Sequence, residues 1–507
     1  MAVATFVEQS LGTSFVIVHI YHSPVFILLW VLLAVFAVSS LFQLRMWKRV
    51  FVWMLHLSFI VILIGAGTSF LTSRKGQLHL RTGTSSFRYM EQDTHLMKDL
   101  PFAIKLDTFQ VEYYPETDMP ADYVSWVTCF SIEEKKVFSG RISMNCILEC
   151  QGYRFYLSSF DDDRRGSLFI VNYDPWGTPI TYLGYFLFSI SMLGVLWSHR
   201  GDYRKLLHSP VSRRMMMLGI LCFSGTLSYA SSLVPLFRKE MASLYHSIPF
   251  TELLLTFDLV CGFVSLIVVL VRFLKKDVGL GRSFTLLLSL SLFLHLAVYL
   301  FRWYVGGRIP LGNGYETMLF LAICVQLLAW GLRKWFPFVV PIGFFLAGFS
   351  QLVPLMMGMD TQIVPLAPVL TSSWLCVHVS CVMVAYAFFG IMVLNALLGL
   401  CLFRESERLM QFGRLLLYPA MFFLGTGIFL GAMWANVSWG RYWAWDPKEV
   451  WALITFMVYG VAFHDESLPW LNRARFFHLY ILLAFLALLM TYFGVNYLLG
   501  GMHSYLN

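Results

Sequence analysis

Residues 439–449 read WGRYWAWDPKE, and a long apolar run flanks this stretch on each side, at 415–434 and 451–463. Three of the eleven residues are tryptophan, and Trp451 follows closely. An interfacial aromatic belt would explain tryptophan and tyrosine at headgroup depth without any ligand. A belt, however, does not require so many aromatic rings at one turn. The pattern therefore favours an aromatic plate at the rim of a membrane, which suits a large, flat aromatic ligand.

The composition is that of a polytopic membrane protein, because 58% of the 507 residues are apolar and only 13% are charged. A membrane-spanning helix needs about 20 mostly apolar residues. Twelve segments are candidate spans: 24–44, 51–71, 179–198, 215–236, 250–271, 284–301, 315–332, 336–353, 374–402, 415–434, 450–464 and 476–498.

The distribution of Lys and Arg predicts the orientation of these spans. Alternate loops hold 19 of the 37 basic residues, whereas the opposite short loops hold six. The other twelve lie in 74–165, a segment long enough to cross a membrane regardless of its charge. Because cytoplasmic loops carry the excess of positive charge, the tryptophan-rich segment is predicted to face outward.

Residues 72–178 form the one sizeable polar segment, and they alternate in short runs such as QLHLRTG and YRFYLSSF. Alternation with a period of two, broken by Gly, Pro and Asp, predicts a small β domain. The predicted fold class is therefore an all-α polytopic membrane protein with about twelve transmembrane helices and a small exported β-rich domain. The predicted units are 1–71, 72–178, 179–214 with a basic linker, and 215–507.

The nine cysteines include no CxxC and no CxxCH, so the chain carries no haem-attachment signature of its own. Cys129, Cys146 and Cys150 lie in the segment predicted to be exported. A disulfide is permitted there, but the pairing does not follow from the sequence.

Four histidines lie at depths that suggest two pairs. His56 lies inside the second span and His464 ends the eleventh, both near the cytoplasmic face. His378 lies about one turn inside the outer end of the ninth span, and His503 follows the twelfth. Taken singly, each is more often a hydrogen-bonded histidine. As a stacked double pair beside an aromatic plate, they are better explained as axial ligands of haem iron.

Three further residues are less decisive. His295 lies in the sixth span with no obvious partner in the sequence, and a packed, hydrogen-bonded role is preferred for it. Arg308 and Arg441 are candidates to bind haem propionates, because Arg suits carboxylates. The alternative, that they end helices or pair with Asp446 and Glu449, is equally supported.

The chain resembles the tryptophan-rich (WWD) haem-handling family, and specifically the system II cytochrome c synthases. Residues 215–507 resemble their CcsA (ResC) unit through GRIPLGNGYE, SSWLCVH, WGRYWAWDPKEVWALITF and TYFGVNYLLGGMHSY. Residues 1–200 resemble CcsB (ResB) through HLSFIVILIGAG, LPFAIKLDTFQVEYYP and NYDPWGTPITYLGY. Residues 2–8 resemble the tail of the family's first transmembrane helix, which is otherwise missing, and the exported domain is short for the family.

The resemblance implies specific roles for these residues. His378 and His503 correspond to the family's external haem ligands, and His56 and His464 to its intramembrane ligands. It implies a catalytic outer site, with haem b as cargo. The residues implied for that site are His378, His503, Trp443, Trp445 and Asp446, and the other haem-contacting candidates are Trp439, Trp451, Arg308 and Arg441.

The expected function is a haem lyase of the holocytochrome c synthase type. It would move haem across the bacterial inner membrane and attach it to the CxxCH thiols of an apocytochrome c on the periplasmic side. The implied partners are that apocytochrome, thiol-reducing proteins and the lipid bilayer, and no nucleic acid. One alternative is a haem exporter or chaperone that serves a separate ligation factor. Another is a b-type transmembrane electron carrier, although no quinone site is visible.

Overall fold

The structure is a computed structural model that describes residues 1–92, 94–115, 117–131, 136–197, 236–274 and 282–499. Within these ranges, ten helices are long and apolar enough to cross a membrane. This agrees with ten of the twelve predicted spans. Of the other two, 215–236 lies outside the described residues except at its last position, and 450–464 corresponds to a helix of only 15 residues.

The N-terminal unit begins with short helices and continues with two long ones. Its elements are α1 (Ala2–Leu11), α2 (Thr13–Val16), a π-helical turn (Ile17–Tyr21), α3 (Pro24–Gln43), α4 (Val50–Thr72) and, after the β domain, α5 (Gly177–Trp197). Helices α4 and α5 pack side by side, and α5 also contacts the C-terminal unit.

The β domain lies between α4 and α5 and is one antiparallel sheet. Its strands are β1 (Arg74–Arg81), β2 (Ser85–Glu91), β3 (Met97–Tyr113), β4 (Pro120–Phe130), β5 (Lys136–Ile142), β6 (Leu148–Cys150), β7 (Tyr153–Phe160) and β8 (Gly166–Tyr173). The strand order is β5-β4-β3-β2-β1-β8-β7-β6. Alternate residues point into a single apolar core that includes Phe102, Ile104, Phe155 and Phe169, which explains the period-two pattern.

All regular secondary structure in the described residues of the C-terminal unit is helical. Its helices are α6 (Leu236–Ser247), α7 (Phe250–Leu274), α8 (Arg282–Gly306), α9 (Gly314–Leu332), α10 (Val339–Met356), α11 (Ser373–Cys401), α12 (Ser406–Trp439), α13 (Pro447–Val461) and α14 (Ala474–Leu489), followed by a π-helical segment, Met490–Leu499. Helices α9, α11 and α12 contribute many fully buried apolar side chains to the core.

Helix α13 has 15 residues and is therefore about 22 Å long, which is short of the roughly 30 Å hydrocarbon core. Its N-terminus carries the WDPKE end of the tryptophan-rich segment, and His464 follows three residues after its last residue. A helix of this length does not reach across the whole bilayer.

Candidate functional site

The tryptophan-rich segment is a tightly held turn between α12 and α13. Helix α12 ends where Gly440 adopts a positive φ of 76°, and Trp445 also has a positive φ, of 60°. Asp446 then caps α13, accepting a hydrogen bond from the Lys448 backbone at 3.1 Å. The Glu449 carboxylate accepts from the Asp446 backbone at 3.3 Å, which completes a capping box. Asp446 thus orients the turn, while a catalytic role for it stays a prediction.

The tryptophan rings of this turn do not form one flat surface. Trp443 and Trp445 have ring centroids 5.8 Å apart and perpendicular planes. Trp439 instead contacts Trp434 of α12, at 4.8 Å and 63°. Trp439, Trp443, Trp445 and Trp451 are all partly buried. The segment therefore offers aromatic walls at an angle to each other rather than the single plate expected from the sequence.

The N-terminal segment covers one side of this turn. Tyr21 stacks on Trp445 with centroids 4.4 Å apart and planes 12° apart, and Phe26 meets the same ring edge-on at 5.2 Å. The Trp451 indole N–H donates to the Thr5 hydroxyl at 3.0 Å. Residues 1–26 are thus part of the wall of the site, a role that no local sequence signal indicated.

The β domain and α4 hold the turn from the other side. The Asn172 side-chain amide donates to the Gly440 carbonyl at 2.7 Å. A Cβ on Gly440 would lie 2.9 Å from the Tyr156 ring, so both the positive φ and the close approach require glycine. Burial raises the pKa of Tyr156 to about 12, so this hydroxyl remains protonated at neutral pH.

A hydrogen-bond relay joins the turn to the junction between the β domain and α5. The Tyr442 hydroxyl donates to the Ser69 hydroxyl at 2.9 Å, and Ser69 donates to the Asp174 carboxylate at 2.6 Å. Asp174 also accepts from the Gly177 and Thr178 backbones at the start of α5. The relay fixes the tryptophan-rich turn to the N-terminal unit, and only the three-dimensional contacts identify it.

The structure brings His56 and His464 together. Their ring centroids lie 6.3 Å apart, with planes at 86°. His56 Nδ1 donates to the Val52 carbonyl at 2.8 Å, and His464 Nδ1 donates to the Gly460 carbonyl at 3.1 Å. Since a carbonyl only accepts, both rings carry their proton on Nδ1 when neutral. Each Nε2 is then a basic nitrogen suited to a metal.

His378 lies against α12 in a cradle made by two glycines. Its Nδ1 donates to the Gly427 carbonyl at 2.7 Å, across the α11–α12 interface. A Cβ on Gly431, one turn further along, would lie 2.7 Å from both Cε1 and Nδ1 of the ring. This bond differs from the backbone bonds of His56 and His464 in joining two helices, so it holds the ring firmly. It also makes Nε2 the basic nitrogen.

The second histidine predicted for the outer pair, His503, lies outside the described residues. The pairing of His378 with His503 therefore stays a prediction.

The two arginine candidates differ in their surroundings. Arg308 makes two hydrogen bonds to the Glu316 carboxylate, at 2.8 and 3.0 Å, and this carboxylate also binds the buried Arg302 at 2.9 Å. Its partner is thus neither Asp446 nor Glu449. Arg441 has no carboxylate within ion-pairing distance among the residues that the structure describes. Of the two, Arg441 is therefore better placed to meet an external carboxylate.

The structure also supplies a partner for His295 that the sequence did not suggest. Its Nε2 lies 3.4 Å from Asp258 of α7, and both side chains are fully buried. The sequence does contain one indication of this pairing: Asp258 lies within an apolar span, where an ionisable side chain is costly unless it has a partner or a function.

Two family models match separate regions of the chain. The family described as cytochrome C assembly protein matches residues 311–503, and the ResB-like family matches residues 45–200. The first match contains the tryptophan-rich turn together with His378, His464 and His503, and the second contains His56 and the β domain.

Several curated relatives each match somewhat less than half of the chain. Protein NrfI of Wolinella succinogenes is 37% identical over 234 residues, which is 44% of this chain but only 26% of NrfI. The cytochrome c biogenesis protein CcsA of Chlamydomonas reinhardtii is 32% identical over 256 residues, covering 45% of this chain and 69% of that protein. CcsA of Pyropia yezoensis is 30% identical over 294 residues and is covered to 86%. The chain therefore belongs to the cytochrome c assembly (CcsA) family and, with its ResB-like unit, is a fused CcsB/CcsA chain of the system II cytochrome c synthase type.

Proposed function

We propose that this protein carries haem b across the membrane and attaches it covalently to the CxxCH thiols of an apocytochrome c, as a haem lyase. The observation that carries this proposal is the meeting of His56 and His464. One comes from the ResB-like unit and the other from the CcsA unit, so a single ligand set is assembled from both halves of the chain.

The geometry of this inner pair supports haem ligation. Two imidazoles that bind one metal ion through Nε2 from opposite sides, each at roughly 2.0–2.1 Å, would have ring centroids roughly 6–6.5 Å apart. The separation of 6.3 Å falls in this range. Axial imidazoles can rotate about the metal–nitrogen bond, so planes at 86° are compatible with shared ligation. The backbone bond at each Nδ1 orients each ring, as is usual for metal-binding histidines.

The proposed outer site consists of the tryptophan-rich turn, His378 and His503. The perpendicular rings of Trp443 and Trp445 would contact the apolar face and edge of haem, and Arg441 would bind a propionate. Haem moves to this site from the inner pair. Its vinyl groups then face the exported β domain, which contacts the turn through Asn172.

The reaction needs little covalent chemistry from the protein. Each cysteine S–H adds across one vinyl C=C bond, forming one C–S bond and one C–H bond with no net change of oxidation state. The histidine of the CxxCH segment then replaces one of the ligating histidines on the iron. The protein supplies binding, orientation and a dry site, and its axial histidines tune the potential of the iron. Because the thiols must be reduced, thiol-reducing partner proteins belong to the proposal.

Co-expression with a CxxCH apocytochrome, in a host that lacks its own maturation system, tests this function. We expect covalent haem on the reporter. If haem accumulates outside the membrane while the reporter stays unmodified, the protein is a haem exporter or chaperone for a separate ligation factor. If haem cycles between redox states and neither outcome occurs, it is a b-type electron carrier.

We also propose that the chain lies in the bacterial inner membrane with the β domain and the tryptophan-rich turn on the periplasmic side. The distribution of basic residues supports this orientation. Cys146 is exposed in the β domain, and Cys401 is exposed at the end of α11 that is predicted to be cytoplasmic. In single-cysteine variants, a membrane-impermeant maleimide should label Cys146 in spheroplasts but Cys401 only after lysis. The reverse pattern would contradict the orientation.

A further inference from the structure

A cluster of buried polar side chains lies inside the C-terminal unit and includes none of the histidines of the proposed haem sites. It is formed by Asp258 of α7, Ser291 and His295 of α8 and Gln326 of α9. Gln351 of α10 lies one turn from Gly348, which packs against Asp258, and all five polar side chains are 0% exposed. Polar and ionisable groups at such a depth are costly and usually mark a functional site. The proposed transport and ligation of haem make no use of this cluster.

The Asp258 carboxylate is the centre of this cluster. The Ser291 hydroxyl donates to Oδ1, and the Gln326 side-chain amide donates to the two carboxylate oxygens at 3.2 and 3.4 Å. His295 Nε2 lies 3.4 Å from Oδ2. Within the described residues, Gln326 Oε1 and both polar side-chain atoms of Gln351 have no hydrogen-bond partner. Polar groups of this kind are commonly satisfied by buried water.

The hydrogen bonds of His295 indicate that one more proton is needed between its Nε2 and the Asp258 carboxylate. Its Nδ1 lies 3.0 Å from the Ser291 carbonyl oxygen, which only accepts, so Nδ1 carries a proton. A neutral imidazole then presents the lone pair of Nε2 to an ionised Asp258. Two acceptors would face each other in an apolar interior, and the carboxylate charge would be unbalanced. One further proton, on either group, removes both problems.

We propose that Asp258 and His295 together bind one exchangeable proton, which makes the pair a buried proton-binding site within the membrane. The pair is neutral as a whole, either as a carboxylic acid beside an imidazole or as a carboxylate beside an imidazolium. The other groups that contact Asp258, the Ser291 hydroxyl and the Gln326 amide, do not ionise. One further ionisable group, the Cys261 thiol, lies one turn along α7 from Asp258.

A stripe of polar side chains links this pair to one end of α8. Ser291, His295, Tyr299 and Arg302 follow one another at spacings of four, four and three residues, so they share one helix face. All four are buried, and the Tyr299 hydroxyl has no hydrogen-bond partner within the described ranges. Tyr299 thus lies between the proton-binding pair and Arg302. Besides Arg302, the ionisable groups that act electrostatically on Tyr299 are Glu316, Arg308, Cys324 and Cys376.

The far end of the stripe lies on the side of the β domain. Arg302 donates to the carbonyls of Thr361 and Gln362, at 2.6 and 2.8 Å, in the loop after α10. The same loop accepts a hydrogen bond from Tyr114 of the β domain at its Leu366 carbonyl. Glu316 pairs with both Arg302 and Arg308, so its carboxylate offsets part of the positive charge that an incoming proton meets at this end. Protons therefore reach the pair from the β-domain side.

Infrared spectroscopy of the full-length protein in nanodiscs, combined with ¹⁵N NMR of its histidines, tests the bound proton. At pH 7 we expect either a carboxylic acid C=O band or a His295 imidazolium signal. Asp258→Asn should abolish it, because an asparagine amide can donate to Nε2 without any extra proton. Asp99→Asn, at an exposed carboxylate of the β domain, should leave it unchanged. Absence of both signals from the wild-type protein would overturn the proposal.

Deuterium exchange tests access from the β-domain side. In Tyr299→Phe the exchange of the bound proton should slow several-fold while its amount stays the same. Tyr304→Phe removes a hydroxyl from an exposed position of the same helix and should exchange at the wild-type rate. Equal rates in all three proteins would refute the stripe as the route.

Replacing potassium by sodium in the buffer should leave the signal of the bound proton unchanged. Loss of the proton signal in sodium would identify a cation site instead and overturn the proposal.

Discussion

Replacing Gly431 with alanine places a methyl group where the His378 imidazole lies. The new Cβ would be 2.7 Å from Cε1 and Nδ1 of the ring, whereas ordinary contact begins at 3.4 Å. The ring must therefore move about 0.7 Å away from α12, given the contact distances of a packed interior. A movement in that direction also stretches the 2.7 Å bond from Nδ1 to the Gly427 carbonyl beyond the usual range.

Two opposing terms decide the effect of this change on stability. Overpacking costs about 1–3 kcal/mol. Alanine in place of glycine within a helix returns up to about 1 kcal/mol. The free energy of unfolding should therefore fall by about 0–3 kcal/mol. A misplacement approaching 1 Å at a reacting site can lower the rate by about a hundredfold, or about 2.7 kcal/mol in activation free energy. Activity should thus be lost while most of the protein stays folded.

The assay is covalent haem on a co-expressed CxxCH reporter, with the haem spectrum of the purified protein recorded in parallel. Gly431→Ala should keep the haem bound by the inner pair and lose most maturation, and added imidazole should restore some of it. Gly67→Ala is the matched control, since a Cβ at that helical position meets nothing within 4 Å. If Gly431→Ala matures the reporter at the wild-type level, the ring is not held against α12 and the proposed role of His378 is wrong.

Four further outcomes are expected. The purified protein should carry non-covalent haem with a low-spin bis-histidine absorption spectrum, and haem-free protein from haem-replete cells would argue against the proposed function. His56→Ala or His464→Ala should empty the outer site as well as the inner one, and a haem-staining assay with the reporter measures this loss. Normal maturation by the double variant would exclude the inner pair from the path of haem to the outer site. Trp443→Phe and Trp445→Phe should stay largely active, whereas each Ala variant removes roughly 150–250 Å² of contact, about a few kcal/mol at most, and should lose outer-site haem. Equal, complete loss in Phe and Ala variants would mean that the indole N–H is what the site uses. Because Tyr21 stacks on Trp445, Trp445→Ala should also make the N-terminal segment more sensitive to proteolysis.

The spans and the β domain follow from patterns that extend over many residues. The predicted span 374–402 corresponds to Ser373–Cys401, since uninterrupted apolar sequence is the property that a bilayer selects. Helix α12 runs from Ser406 to Trp439 and is longer than its predicted span, 415–434. The prediction began too late because the first turns of the helix carry charged residues such as Arg408, which a hydropathy criterion excludes although these turns are helical.

The proximity of His56 and His464 agrees with the predicted inner pair, which began from the rarity of an ionisable side chain within a span, as at His56. Their role as ligands stays a prediction. The angle between the rings of Trp443 and Trp445 was not predictable, because backbone conformation at the turn determines it, including the positive φ of Trp445. The pairing of Asp258 with His295 was also hidden, since two helices must first pack before the residues meet. Equally, nothing in the first 26 residues indicates that Tyr21 would lie on Trp445.

The origin of His56 and His464 in different units has a consequence for assembly. If both bind one iron, haem becomes a non-covalent cross-link that the folded chain binds and the separated units do not. Such a ligand stabilises the assembled state by about 2.7 kcal/mol at a hundred times its dissociation constant. After cleavage between the two matched regions, the halves should therefore stay associated more strongly in haem-replete membranes than under haem starvation, when only the protein contacts between the units remain. The degree of association between the two units would then depend on how much haem the cell supplies.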